Sequence, residues 1–309
     1  MDAVIDQSRE AIRAGSKSFA AAARLFDART RASVYMLYRW CRHCDDVIDG
    51  QTLGHGQQAG GAQAQRGRLD ALIANTRSAH AGEPTADPVF SAFQRVVREN
   101  GIPDRYPLEH LEGFRMDVEG RRYAVLEDTL QYCYHVAGVV GVMMALVMGA
   151  RDRDALRRAS DLGIAFQLTN IARDVVEDAG ADRVYLPAQW LREAGIAPEG
   201  IAAPENRAAL ARVVARLLDA AEPYYASASV GITELRPRCA WAVATAKNVY
   251  REIGMRVLAL GPRAWNERTV VPRSRKLYHV VTGAVEAAAA ISIQRSRPKP
   301  CRAELWTRD

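Results

Sequence analysis

The chain has 309 residues, 49% of them hydrophobic and 25% charged, and 42 Lys and Arg against 36 Asp and Glu give a net charge of +6. That is enough apolar material for one large core, and the length fits a single domain. No stretch reaches the roughly 18 uninterrupted apolar residues of a membrane span, and scattered arginines without a recognition motif argue against nucleic acid as partner.

The start of the chain, with Asp2, Asp6, Arg9 and Glu10, lacks the basic-then-apolar order of an export signal, so a cytoplasmic location is expected. Five cysteines without disulfide-like spacing fit that reduced compartment. Apolar residues recur at spacings of three and four and almost never alternate, so the fold class is all-α. The spacing predicts helices over 3–14, 28–49, 66–80, 87–100, 105–121, 127–149, 152–178, 206–230, 235–260 and 276–294. One helical domain over 1–294 would carry a mobile, Gly- and Gln-rich loop at 50–67. A basic, Pro-containing tail at 295–309 has no face to bury and is expected to fray.

On the helix over 28–49, Asp45 and Asp49 lie four apart, which puts their Cβ atoms about 5–6 Å from each other on one face. Asp46 adds a third acid among residues suited to burial, Val34, Leu37, Trp40, Val47 and Ile48. Acids at a helix C-terminus oppose the macrodipole, and acids on an apolar helix need a cation. The bland reading is a solvated helix end before Gly50. Cys41 and Cys44 form a C-x-x-C pair, but a structural zinc site needs about four ligands and no second cluster matches. Arg42 lies three before Asp45 and could meet an anion or serve as an ordinary ion-pair partner.

The run 136–150 carries Gly138, Gly141 and Gly149 and reads as a buried helix. On the helix over 152–178, Gln167, Asn170, Asp174 and Asp178 share one face, and Leu162, Phe166, Leu168, Ile171 and Val175 make the rest apolar. A structural hydrogen-bond network is the bland alternative. Two such segments in one chain point instead to a hard cation. Oxygen donors without His or Cys suit Mg²⁺ or Mn²⁺ shared with phosphate. A di-iron bundle would want Glu-x-x-His pairs, and none is present. Arg173, beside Asp174, and then Lys17, Arg183, Arg268, Arg273 and Lys276 are the cations available to a diphosphate.

Beyond spacing, particular stretches carry a resemblance. Ser16-Lys17-Ser18-Phe19 is followed by Tyr38 through Arg42 to Asp45-Asp46-Val47-Ile48-Asp49, then Met116-Asp117 and Val136-Ala137-Gly138 with Gly141. Gln167-Leu168-Thr169-Asn170-Ile171-Ala172-Arg173-Asp174 and Arg183-Val184-Tyr185-Leu186-Pro187 complete the set. In order and distance these resemble the squalene and phytoene synthase family, and its bacterial phytoene-forming branch in particular.

The resemblance implies a single-domain isoprenoid synthase fold, with helices around a deep central cavity and the two acidic segments facing each other across its mouth. It implies head-to-head joining of two geranylgeranyl diphosphates through a cyclopropyl intermediate. Asp45, Asp49, Asn170, Asp174 and Asp178 would hold Mg²⁺, with Gln167 assisting. Ser16, Ser18, Tyr38, Arg42, Arg173 and Tyr250 would contact diphosphate, and Tyr250 or released diphosphate would take a proton. Phe19, Val136, Gly138, Gly141 and Leu168 would line the tunnel, plain core packing being the alternative for Phe19 and Val136. NADPH is not expected, since no dinucleotide fingerprint is legible; stimulation by ATP stays open, with no P-loop-like glycine run to mark a site. Peripheral membrane contact and contact with other carotenoid-pathway enzymes are expected. The alternatives are a farnesyl diphosphate-using squalene or dehydrosqualene synthase, or a non-catalytic membrane-surface or assembly partner.

Overall fold

The computed structural model describes residues 3–15, 17–50, 62–294, 300, 302 and 305–308, and no strand occurs among them. The helices are α1 (Ala3–Gly15), α2 (Lys17–Ala23), α3 (Ala28–Asp49), α4 (Ala62–Ala81), α5 (Pro88–Asn100), α6 (Arg105–Val118) and α7 (Leu126–Cys133). A π-helical turn, Tyr134–Gly138, joins α7 to α8 (Val139–Val147), and α9 (Arg153–Gly180), α10 (Ala188–Glu193), α11 (Arg207–Gly231), α12 (Pro237–Leu260) and α13 (Arg273–Ala289) follow.

Each expected helix is present with its ends moved by a few residues. The short α2 and α10 had no counterpart among the expectations. Of the expected 50–67 loop, 51–61 lies outside the described residues, whereas 62–67 belongs to α4. The Ala-Gln-Ala-Gln-Arg start of α4 has no apolar face, but its residues are strong helix formers.

Local chemistry fixes the two long acidic helices. Asp27 caps α3 by accepting from the Thr30 backbone N at 3.0 Å, and Gly50, with φ of 63°, closes it in the left-handed region. Asp152 caps α9 by accepting from Ala155 N at 3.0 Å.

Two apolar cores form. One gathers Met36, Leu37 and Trp40 of α3 with Phe93 of α5 and Met143 of α8; the other gathers Leu168 and Ile171 of α9 with Leu217 and Tyr225 of α11 and Ile253 of α12. Phe19 packs against both, so the space between them is bridged from α2. The α7 to α8 run, Leu126–Val147, is long and apolar enough to cross a membrane, but most of it is buried inside the fold. It packs on α9 backbone to backbone. A Cβ on Gly141 would lie 2.3 Å from the Ala159 carbonyl oxygen, and one on Gly163 would lie 2.2 Å from that of Ala137.

The tail expected to fray is docked where it is described. Arg302 donates through Nε to Asp161 Oδ2 at 2.6 Å, Arg158 Nη2 donates to the Pro300 carbonyl at 2.7 Å, and Trp306 packs on Tyr134. Arg308 reaches Glu109 at 3.0 Å. The tail's partners on α9, Arg158 and Asp161, are buried.

Candidate functional site

Between the two cores runs a cavity of about 430 Å³. Its mouth holds Arg42, Asp45, Asp49, Asp117 and Arg183, and its depths are walled by small or apolar residues such as Ala145, Ala150, Ala155 and Ala228. Along α9 the wall extends from Asn170 back to Ala155, on the order of 22 Å of helix at 1.5 Å per residue. A polar mouth on a long apolar sleeve suits a molecule with a charged head and an extended hydrocarbon chain.

At the mouth, α3 contributes Asp45 and Asp49 as the spacing requires. Arg42 pairs with Asp45 at 2.8 Å and with Asp46 at 2.8 Å, and its buried Nε has no protein acceptor. Removal from water, with Asp49 and Asp46 adding repulsion and Arg42 opposing, pushes the Asp45 carboxyl up to about 6. Asp46, which sequence placed one step round the helix, is buried away from the cavity.

From the facing side, α9 brings Gln167 and Asn170 into the wall. Asn170 donates through Nδ2 to Gln167 Oε1 at 3.3 Å, which leaves Asn170 Oδ1 buried without a donor. Asp174 and Asp178 continue the same face past the wall. Arg173 Nε donates to Asp174 Oδ1 at 2.8 Å, and Arg268, from the segment after α12, reaches Asp174 at 3.2 Å and Glu177 at 3.3 Å. Burial first, and then Asp174, push the Asp178 carboxyl up to about 7. A turn with Asp182 at φ of 57° brings Arg183 back toward the mouth, where it hydrogen-bonds Asp49 of α3. Its charge also lowers the pKa of Asp45, Asp117 and Asp178.

Asp117 received no role from sequence beyond its place in a quoted motif. It lies between two tyrosines, accepting from Tyr132 OH and from Tyr185 OH at 3.1 Å each, while the two rings stack 4.6 Å apart. Burial pushes it up to about 7. No acid lies three or four residues from Asp117, so no helical period betrays it. Its only advance mark was the motif that contains it.

The aromatic side of the mouth is also larger than expected. Tyr250 stacks on Phe166 at 4.1 Å and on Phe19 at 5.4 Å, and Tyr38 meets Phe19 edge-on at 6.4 Å. All four line the cavity. The sequence pattern marks Phe166 only as part of the apolar face of α9. Burial pushes the Tyr250 phenol up, so it stays protonated at neutral pH.

Other expected lining residues fare differently. Val136 and Gly141 are in the wall. Gly138 is not: a Cβ there would lie 2.9 Å from Ser160 Oγ, so its smallness serves the approach of α9. Leu168 is fully buried in the core behind the wall. Ser16 lies outside the described residues, as do the side chains of Lys17 and Ser18. Arg273 and Lys276 open α13, outside the wall. Cys41 and Cys44 are free thiols that burial pushes up, Cys41 to about 12.

Among the described residues no three carboxylate, imidazole or thiolate groups converge on one point. The donors nonetheless fit hard cations held jointly with a ligand. Within each helix the carboxylates repel one another, Asp45 with Asp49 and Asp178 with Asp174, Asn170 Oδ1 is orphaned in the cavity wall, and Mg²⁺ characteristically takes one or two carboxylates plus substrate phosphates.

The sequence matches the squalene/phytoene synthase profile over residues 12–275, most of the chain. This protein belongs to the squalene/phytoene synthase family. Within it, the chain is 54% identical over 305 residues to a phytoene synthase of Pseudescherichia vulneris, covering 99% of this chain and 98% of that one. It is 52% identical over 305 residues, again covering 99% and 98%, to a 15-cis-phytoene synthase of Pantoea ananas. Among solved structures, a ligand-bound dehydrosqualene synthase superposes with a TM-score of 0.81 at 27% identity, over 93% of this chain and 97% of that one. The family membership makes the chain a prenyltransferase with a prenyl diphosphate as substrate.

Proposed function

We infer that the protein condenses two molecules of geranylgeranyl diphosphate head to head to phytoene, releasing both diphosphates, in carotenoid biosynthesis. The observation that carries this is the joining of an acid- and arginine-rimmed mouth to a long apolar sleeve in a chain more than half identical to phytoene synthases.

Mg²⁺, or Mn²⁺, would be held by Asp45 and Asp49 from one side and by Asn170, Asp174 and Asp178 from the other, and when bound supplies Lewis-acid neutralisation of the leaving diphosphate. Arg42, Arg173, Arg183 and Arg268, each paired with one of these acids, would receive that negative charge. Once the allylic C–O bond breaks, the rings of Phe19, Phe166 and Tyr250, which line the cavity, would attract the positive charge and exclude water. Attack by the second substrate's double bond and loss of a proton close the cyclopropane. A second ionisation, rearrangement and proton loss give the central double bond. Because the Tyr250 phenol is held protonated, released diphosphate is the better proton acceptor and Tyr250 the better donor to it.

No reductant is consumed in this sequence, so NADPH has no part, and no step calls for ATP. The setting is the cytoplasmic side of a membrane, where substrate and product are both lipids and other carotenoid-pathway enzymes would receive the hydrocarbon. The test is direct. Purified protein is given geranylgeranyl or farnesyl diphosphate with Mg²⁺, with and without NADPH, and the hydrocarbon is identified. Phytoene from the twenty-carbon substrate without reductant is expected. A higher kcat/KM on farnesyl diphosphate would overturn the substrate, and no product from either would leave an assembly role.

A further inference from the structure

Seven of the eight large apolar side chains that remain exposed among the described residues lie between positions 255 and 285. Five lie on α13 and the segment leading into it. Val270 is 65% exposed, and on α13 Leu277 is 66%, Tyr278 51%, Val281 60% and Val285 67% exposed. Leu277, Val281 and Val285 succeed one another at steps of four, which makes a single stripe along the helix.

The opposite face of α13 is fixed to α12. Trp241 Nε1 donates to the Val280 carbonyl at 2.7 Å, His279 and Arg275 meet Glu252, and Glu286 meets Lys247 and Asn248. Gly283 sits so near Thr245 that a Cβ would lie 2.6 Å from its hydroxyl oxygen. The stripe therefore cannot turn inward to find cover.

Charge says what the cover is. Residues 268–285 carry Arg268, Arg273, Arg275 and Lys276 and no Asp or Glu. Arg273 and Arg275 are exposed at the start of the stripe, and Arg275 lies over the Tyr278 ring at 4.5 Å. A helix with basic residues beside an apolar stripe is suited to lie in the headgroup region of an anionic bilayer. A second copy of the chain fits less well, because a two-fold contact through this face would bring the same cations together. The segment also starts at the site: Arg268, two residues before Val270, is the arginine that reaches Asp174.

We propose that the outer face of α13, with Val270, docks on the surface of an anionic lipid bilayer and sets the mouth of the cavity beside the membrane. This deepens the proposed function, from which it takes the lipid nature of substrate and product. The stripe lies almost wholly beyond residue 275, where the family match ends.

The test uses the full chain and vesicles of phosphatidylglycerol or of phosphatidylcholine. The unaltered protein should sediment with phosphatidylglycerol vesicles, less with phosphatidylcholine, and be released by high salt. The triple variant Leu277→Ser, Val281→Ser, Val285→Ser should bind at least tenfold more weakly, with unchanged helical circular dichroism and unchanged turnover of detergent-dispersed substrate. Arg273→Gln with Lys276→Gln should lose the preference for phosphatidylglycerol. That detergent assay separates failure of the docking face from failure of the catalytic reading. The proposal is overturned if the unaltered protein ignores both vesicles, if the triple variant binds as well as it does, or if the triple variant instead dissolves a dimer.

Discussion

Arg183 hydrogen-bonds Asp49, so the turn after α9 is tied to the C-terminal end of α3 across the mouth of the cavity. A cation from the end of the second acidic segment thus sits against the first, at the mouth of the cavity. Arg183 also offsets charge at Asp117 and Asp178. Replacing it by glutamine should lower kcat/KM for the prenyl diphosphate by about 10- to 100-fold, because a charge-assisted donor to developing diphosphate charge is lost. Steady-state kinetics decide this, and an unchanged kcat/KM would remove Arg183 from the site.

Asp45 lies in the cavity wall and Asp174 on the same face of α9 just past it, while other faces of both helices are core. Asp45→Ala and Asp174→Ala should therefore cost about a hundredfold or more in product formation while leaving the fold in place. Product analysis beside far-ultraviolet circular dichroism checks both halves. Collapse of the helical spectrum in both variants would mean that the acids hold structure and not ligand. Excess chelator should likewise stop turnover, and undiminished turnover would contradict a metal role.

What sequence could show follows from the range over which each feature is encoded. Asp45 with Asp49, and Gln167 through Asp178, are legible because a helix turns a spacing of three or four into a shared face. Asp117 is legible only as part of a motif, since its partners Tyr132 and Tyr185 come from two other elements and no local period joins them. A cavity wall and a close helix crossing both select glycine, and at Gly138 the 2.9 Å from a built Cβ to Ser160 Oγ is the mark of the crossing. The docked tail was invisible because Asp161 and Arg302 are 141 positions apart, and a basic segment without an apolar face reads locally as unsupported.

The same crossing gives a stability test. Gly163→Val would force α9 away from the Ala137 carbonyl, and overpacking of this kind costs about 1–3 kcal/mol or more. Gly180→Ala, at the end of the same helix with no atom within 4 Å of a built Cβ, should be neutral or slightly stabilising. Urea unfolding of the two variants measures both, and equal midpoints would show that the crossing tolerates a side chain.

Protonation supplies a fourth prediction. Asp117 and Asp178 each rise from an ordinary 3.8 to about 7, chiefly through burial. An acid with a raised pKa binds its proton more tightly in the folded chain than in the unfolded one. Its contribution therefore favours folding at low pH and is lost as pH climbs from about 4 to about 7. Asp117→Asn should flatten that part of the fall in melting temperature between pH 5 and pH 8, relative to the unaltered protein. Added Mg²⁺, binding ionised acids in the folded state, should raise the melting temperature more at pH 8 than at pH 5. A rise as large at pH 5 would mean that the cation acts elsewhere.

The tail's contact with α9 can be weighed in the same way. Asp161 is wholly buried, and its donors are Ser227 Oγ at 2.5 Å and the Arg302 guanidinium, with Nε at 2.6 Å. Removing the guanidinium leaves a buried carboxylate with one hydroxyl, and breaking a buried ion pair from one side costs about 3–5 kcal/mol. Arg302→Ala should therefore lower the urea midpoint by a corresponding amount. Because Leu162 and Gly163 next to Asp161 wall the cavity, it should also reduce turnover. Pairing it with Asp161→Asn removes the stranded charge as well as its partner, so the double variant should be more stable than Arg302→Ala alone. A single variant within about 0.5 kcal/mol of the unaltered protein, the range of ordinary surface changes, would show that the tail contributes nothing to the fold.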